Sequence, residues 1–162
     1  MQTVLIAIDY APNAEHIAEK GYALAKALQA KVILLHVVSE PVYYASNVYS
    51  PIMGFGGYVN TNFLETDVIE SLVAQSTNFL ETTKLHLNDT SITTMVTHGN
   101  VYESILDIAQ STGADVIVMG SISRRWLENV LLGNVAHQVL KATECPVYII
   151  PTPLASAKPT AT

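Results

Sequence analysis

Three nearly continuous apolar runs, VLIAI at 4–8, VILLHVV at 32–38 and VIVM at 116–119, constrain this chain more than anything else in it. A strand with one face in water alternates apolar and polar residues, whereas a strand covered on both faces reads as an unbroken apolar run. Between the first two runs, residues 13–28 place Ala14, Ile17, Ala18, Gly21, Leu24, Ala25 and Leu28 at three- and four-residue steps. That is the period of a helix with one apolar face, and Pro12 is expected in its first turn. Strand, helix, strand in this order predicts a β-α-β unit, because parallel neighbours need a crossover connection.

The same grammar continues. Residues 63–87 carry Leu64, Val68, Leu72, Gln75, Phe79 and Leu80 at helical steps, and SITTMVT at 91–97 follows as a weaker, β-branched strand expected at a sheet edge. A helix over 101–111 turns Ile105, Ile108 and Ala109 inward and stops at Gly113, a residue suited to a left-handed cap. After VIVM come a loop opened by Gly120, a helix beginning near Gly133, and VYII at 147–150. Five strands alternating with four helices predict an α/β fold, an open doubly wound parallel sheet with helices on both faces. With 162 residues, 49% of them apolar, one domain with a single core is expected over 1–151. Residues 152–162, TPLASAKPTAT, are small, polar and Pro-containing and are expected to form an unfolded tail.

Composition excludes several classes of function. The formal net charge is -6 with eight Lys and Arg, and no basic run supplies the clustered cations that nucleic acid or an anionic membrane surface requires. The N-terminal apolar run meets Asp9 too soon to be a signal or a span, and the lone Cys145 cannot form an internal disulfide, so a cytoplasmic protein is expected. Cys145, ahead of Pro146, reads as a buried structural thiol. The five histidines show no metal-ligand spacing, so no metal site is expected. No P-loop, G-x-G-x-x-G or G-x-S-x-G motif is present, and the chain is expected not to be an enzyme, slow ATP hydrolysis being the most that remains.

In an open parallel sheet, ligands bind beyond the carboxyl ends of the strands, where the strand order reverses. The residues there are Asp9 after the first strand, His36, Val37 and Val38 at the end of the second, and Gly120, Ser121, Ile122 and Ser123 after the fourth. A carboxylate at a strand end accepts bonds either from ribose hydroxyls or from N–H groups at the start of the next helix, and Asp9 admits both readings. A loop opened by glycine leaves backbone N–H groups free to approach phosphate. The helix that begins near Gly133 aims its positive end the same way.

At this point the residues resemble a family. MGSISRRWLENVLLGNVAHQVL followed by CPVYII is similar to the universal stress proteins, whose nucleotide-binding members show G-x-x-G, nine residues, then G-[S/T]. IAID, LLHVV and GADVIVMGS support the likeness, which runs over nearly the whole chain. The resemblance implies a five-stranded sheet of order 3-2-1-4-5 and a homodimer in which the last strands, 147–150, pair antiparallel. It also implies ATP or another adenine nucleotide, with Mg2+ accompanying a triphosphate. Carried onto this chain, the contacts fall on Ala7, Asp9 and Val37, the last beside adenine. Others fall on Met119, Gly120, Ser121, Ser123 and Arg124 of the loop, and on Gly133, Asn134 and Val135 near the phosphates. Two positions depart from the family pattern: Ser123 stands for the second glycine and Asn134 for the final hydroxyl residue. If position 123 needs a positive φ, serine costs about 1–2 kcal/mol there, or about tenfold in affinity. Asn134 can still donate to a phosphate oxygen.

Several readings stay open on the residues. Arg124 and Arg125 are either solvated loop cations or charge-assisted partners of a phosphate. Trp126 packs on the loop or on a partner. The tyrosine-rich stretch 42–63, VYYASNVYSPIMGFGGYVNTNF, is either a lid and interaction surface or an excursion over the sheet edge. Three functions follow: a dimeric regulatory module that senses an adenine nucleotide, a relative without nucleotide that works through protein contacts at 42–63, and a weak ATPase.

Overall fold

The computed structural model describes residues 1–39, 61–121 and 132–152. In chain order its elements are β1 (Thr3–Ala7), α1 (Ala14–Ala27), β2 (Lys31–Val38), α2 (Thr61–His86), β3 (Thr93–His98), α3 (Val101–Thr112), β4 (Val116–Gly120), α4 (Asn134–Ala142) and β5 (Val147–Ile150). The strands form one sheet of order β3-β2-β1-β4-β5, as the resemblance implied, and every neighbouring pair is parallel. From β1 the chain winds outward through β2 to β3, then returns to the other side of β1 to lay down β4 and β5. The strand order therefore reverses between β1 and β4, which is where a crevice opens in a sheet of this kind.

The apolar runs are continuous because alternate residues feed two cores. Val4, Ile6, Val32, Leu34 and Val118 enter one cluster with Ile17 and Ala25 of α1 and Leu80 of α2. Leu5, Ile33, Leu35, Ile117 and Met119 enter the other with Ile105 and Ala109 of α3 and Ala136 and Val139 of α4. Each fully buried side chain of this size contributes roughly 1.5–3 kcal/mol relative to exposure, so the two helical layers and the sheet depend on one another. β3 lies at the edge the sequence predicted for it, and its residues are at most half-buried. β5 is the opposite edge, with Tyr148 exposed.

The helix ends show why the boundaries fall where they do. α3 is capped by Asn100, whose side chain accepts from the Glu103 N–H, and it stops at Gly113 in the left-handed region, φ 63. α1 starts later than its apolar pattern suggested: Pro12 lies in the turn ahead of the helix rather than in its first turn. At the far end of the sheet, the Tyr22 hydroxyl of α1 donates to Asp89 beyond α2 at 2.7 Å, and Lys26 stands 3.3 Å from the same carboxylate. The Ser91 hydroxyl, then Tyr22, hold that carboxyl well below its usual range. Among the described residues no helix is long and apolar enough to cross a membrane.

Candidate functional site

At the carboxyl end of β1 the backbone is held from β2. The Ile8 N–H donates to the Leu35 carbonyl at 3.0 Å, and His36 Nδ1 lies 2.9 Å from the Ile8 carbonyl. A carbonyl only accepts, so Nδ1 carries the proton and the neutral ring leaves a lone pair on Nε2. Asp9 follows at once. Its Oδ1 accepts from the Ala11 N–H at 3.0 Å, an Asx turn that steers the chain toward α1. Of the two readings open for Asp9, the cap lies one step earlier than expected, on the turn and not on the helix. One Asp9 oxygen is committed there; a carboxylate has capacity for more. Ala7 is the last residue of β1 and pairs with Leu35, so continuing the register brings Val37 beside Asp9. Val37 is half-buried against the α3–α4 core.

His36 is more than a satisfied strand-end histidine. It is 3% exposed, and its Nε2 is a buried side-chain nitrogen with no hydrogen-bond partner among the described residues. The Tyr10 ring meets it edge-on at 4.7 Å, with Phe79 of α2 at 5.8 Å and the Tyr10 and Phe79 rings 4.7 Å apart. Tyr10 is itself 38% exposed, and its hydroxyl reaches Ser76 Oγ at 3.1 Å, which donates to the Leu72 carbonyl. Burial pushes the His36 pKa down, against the smaller upward effects of the Ile8 bond and the Asp9 charge. The sequence reading missed Tyr10; the available signal was an aromatic residue directly after the strand-end aspartate.

The end of β4 is organised differently from expectation. Met119 is buried in the α3–α4 core. A Cβ on Gly120 would lie 2.7 Å from Ile17 Cδ1 and 3.2 Å from Thr152 Cγ2, so glycine here lets α1 approach the strand. Close approach of a phosphate is not needed to explain it. Ser121 is a junction: its N–H donates to the Ile150 carbonyl at 2.9 Å, and its carbonyl accepts from the Gly133 N–H at 2.6 Å. Its hydroxyl accepts from the Thr152 N–H at 3.0 Å and meets Thr152 Oγ1 at 3.1 Å. The Ser121 side chain is thus turned toward the segment after β5, and Thr152, taken as tail from its sequence, is buried.

The Ser121–Gly133 bond closes the loop between them at its base. Gly133 is the N-cap of α4 in extended conformation, φ -63 and ψ 155, with no side-chain cap bond. Without a capping side chain the first-turn N–H groups of α4, which begins with the exposed Asn134 and half-buried Val135, keep their capacity for an outside acceptor. Ser123, Arg124, Arg125 and Trp126 lie outside the described residues, as does nearly all of the 42–63 stretch. Cys145 is half-buried; its thiol donates to the Ala114 carbonyl at 3.3 Å and burial pushes its pKa up, so it is not an activated nucleophile. Among the described residues no three His, Cys, Asp or Glu side chains converge on a metal position.

The carboxyl ends of β1, β2 and β4 thus lie on one side of the sheet, with the N-terminus of α4 tied to the end of β4 through Ser121 and Gly133, and known proteins share the fold. The model of the universal stress protein family matches residues 1–151. The chain is 31% identical over 151 residues to the universal stress protein MJ0577 of Methanocaldococcus jannaschii, covering 91% of this chain and 93% of that one. The solved structure of MJ0577 superposes with a TM-score of 0.74 at 25% identity, over 95% of this chain and 98% of that one. The universal stress protein UspA from Lactobacillus plantarum has the same fold at a TM-score of 0.73 and 18% identity, covering 92% and 97%. So does a universal stress protein in complex with cAMP, at 0.58 and 18%, covering 94% and 98%. This chain belongs to the universal stress protein family.

Two outcomes follow from the site geometry. Gly120→Ala is expected to destabilise the fold by about 1–3 kcal/mol through overpacking against Ile17, read as a lower urea midpoint. Ile17→Val removes the atom that is struck and should recover part of that loss, so a fully additive double mutant would refute the contact. His36 has a depressed pKa, so below the ordinary value of 6.5 the unfolded chain takes up a proton that the folded chain refuses. Stability should therefore fall on acidification below that pH, by at most about 1.4 kcal/mol per pH unit for this one group. His86, raised by its bond to Glu19, acts in the opposite sense, but that pair is exposed and solvent-screened. The difference in unfolding free energy between the wild type and His36→Asn, followed against pH, isolates the His36 contribution.

Proposed function

We propose that this chain binds an adenine nucleotide in the crevice at the ends of β1, β2 and β4, and acts as a dimeric, cytoplasmic regulatory module, not an enzyme. The observation that carries the reading is an α4 N-terminus with no capping side chain, tied to the end of β4 by the Ser121–Gly133 bond, beside the strand end that carries Asp9. In this arrangement Ala7 and Val37 offer apolar surface to the base, and the free Asp9 oxygen accepts from ribose hydroxyls. Backbone groups from Met119 through Ser121, with Ser123 and Arg124, line the phosphate side. Gly133 and the N–H groups of Asn134 and Val135 supply the anion-binding end. A triphosphate would bring Mg2+ coordinated by its own oxygens and by water, since Mg2+ keeps several waters and needs few protein ligands. The relative crystallised with cAMP supports an adenine ligand for this fold.

A second reading, a family member without nucleotide that works through protein contacts, is favoured by Gly120 and Ser121, both of which have structural duties that need no phosphate. Calorimetry with ATP, ADP, AMP and cAMP separates the two. The nucleotide reading expects heat from the wild type. It also expects about ten- to a hundredfold weaker binding in Asp9→Ala, the usual worth of a charged hydrogen bond, and about tenfold tighter binding in Ser123→Gly. Silence with all four ligands in the wild type would leave the second reading.

The dimer is proposed through β5, an open edge strand whose Tyr148 is 45% exposed. Light scattering should return twice the 17.5 kDa chain mass, and Tyr148→Lys, a surface change of small cost to the fold, should shift it toward the monomer. A wild type that scatters as a monomer removes the dimer.

A further inference from the structure

We propose that His36 is a proton-sensitive positioning residue for the Asp9 turn, so that the crevice at the end of β1 is set for its ligand only while the imidazole is neutral. The inference rests on the nucleotide reading for what the crevice binds, but the coupling it describes is a property of the ligand-free chain.

Two opposite ends of one ring carry the argument. Nδ1–H fixes the Ile8 carbonyl, the last backbone group before Asp9, from a strand that is itself locked in the sheet. Nε2 is buried with no partner among the described residues, and the ring packs against Tyr10 and Phe79. When Nε2 takes a proton from solvent, Nδ1–H stays where it is and a second donor appears with a full positive charge and no acceptor. A buried donor without a partner is costly, and a buried charge more so. The wall that can give way is Tyr10, because it is partly exposed and, among the described residues, held at its tip by Ser76 alone, whereas Phe79 belongs to the long helix α2. Tyr10 sits between Asp9 and Ala11, so its displacement pulls on the Asx turn that orients the Asp9 carboxylate.

The surrounding charges point the same way. From the β1–α1 turn, Asp9 is the charged group that acts on the ring. Ser76 and Phe79 of α2 are uncharged, Val96 of β3 pairs with His36 in the sheet, and α1 contributes Ala14 and Ile17 to this side of the core. Among the described residues, the anionic group that acts on an imidazolium here is therefore the carboxylate that the crevice needs for ligand. Proton uptake and ligand binding compete for Asp9.

The test uses the full chain, nuclear magnetic resonance and adenosine, a probe with no phosphate of its own to titrate. His36→Asn keeps a side-chain N–H donor for the Ile8 carbonyl and has nothing to protonate. On acidification from about pH 8 through the range below the ordinary imidazole value of 6.5, the side on which burial places the His36 titration, the Ala11 amide and the Tyr10 ring resonances of the wild type should move with the midpoint of the His36 imidazole nitrogens. In His36→Asn they should stay flat. Adenosine affinity should fall below that midpoint by at most about tenfold per pH unit, the limit for one proton, and should be flat in the variant. Resonances that ignore the His36 titration, or that move equally in His36→Asn, would overturn the coupling even if adenosine binds well. Coupled resonances with no adenosine binding in either protein would uphold the coupling and leave the nucleotide reading to be decided by the calorimetry with phosphate-bearing ligands.

Discussion

The structure depends on parallel pairing of β1 with β2 on one side and β4 on the other. Parallel neighbours cannot be joined by tight turns, so each pairing obliges the chain to return along a helix, and each helix must cover a face of the sheet. That obligation makes Val4, Leu5 and Ile6 fully buried although they point to opposite faces. It also puts every strand's carboxyl end on the same side of the molecule. The crevice is a by-product of this geometry. Once β4 is laid beside β1 instead of beyond β3, the strand order reverses between them, which is where a sheet of this kind opens a crevice.

This is why the fold was legible and the site only partly so. Apolar runs without alternation can be satisfied in few ways, and the helical steps of Ala14, Ile17, Ala18 and Ala25 agree with the face that packs on the sheet. Edge position could be read for β3 because its three threonines make it a weaker apolar run than a strand covered on both sides. Site residues are harder, since one sequence symbol serves several geometries. Gly120 reads as a phosphate glycine and is a packing glycine against Ile17. Ser121 reads as a loop hydroxyl and is the tie between β4, β5 and the base of the loop. Nothing local to position 121 encodes a partner at Thr152; only the sheet brings them together.

The tie at Ser121 also bears on how rigid the crevice is. Its carbonyl holds Gly133 and its hydroxyl holds Thr152, so the beginning of α4 and the end of β5 are fixed by one residue. A ligand that reaches the N-terminus of α4 therefore meets a preorganised group of donors on this side. Preorganisation lowers the ordering cost of binding, so that modest contacts suffice for useful affinity. On the β1 side, the Asp9 turn relies on an Asx bond and a half-exposed tyrosine, so the two walls differ in stiffness.

That asymmetry suggests why an orphan nitrogen persists at His36. A leucine or phenylalanine in the same position would remove an unpaired buried polar atom and its cost, and sheets of this class are otherwise apolar at that depth. What an apolar residue could not do is donate to the Ile8 carbonyl, which would lose the donor that His36 supplies. Only a side chain long enough to reach across from β2, flat enough to pack between Tyr10 and Phe79, and carrying a donor at its near edge meets all three demands. Imidazole does so at the cost of a second nitrogen pointing into the aromatic wall. The unsatisfied atom is thus the consequence of anchoring the soft wall of the crevice, and its basicity makes that anchor answer to protons.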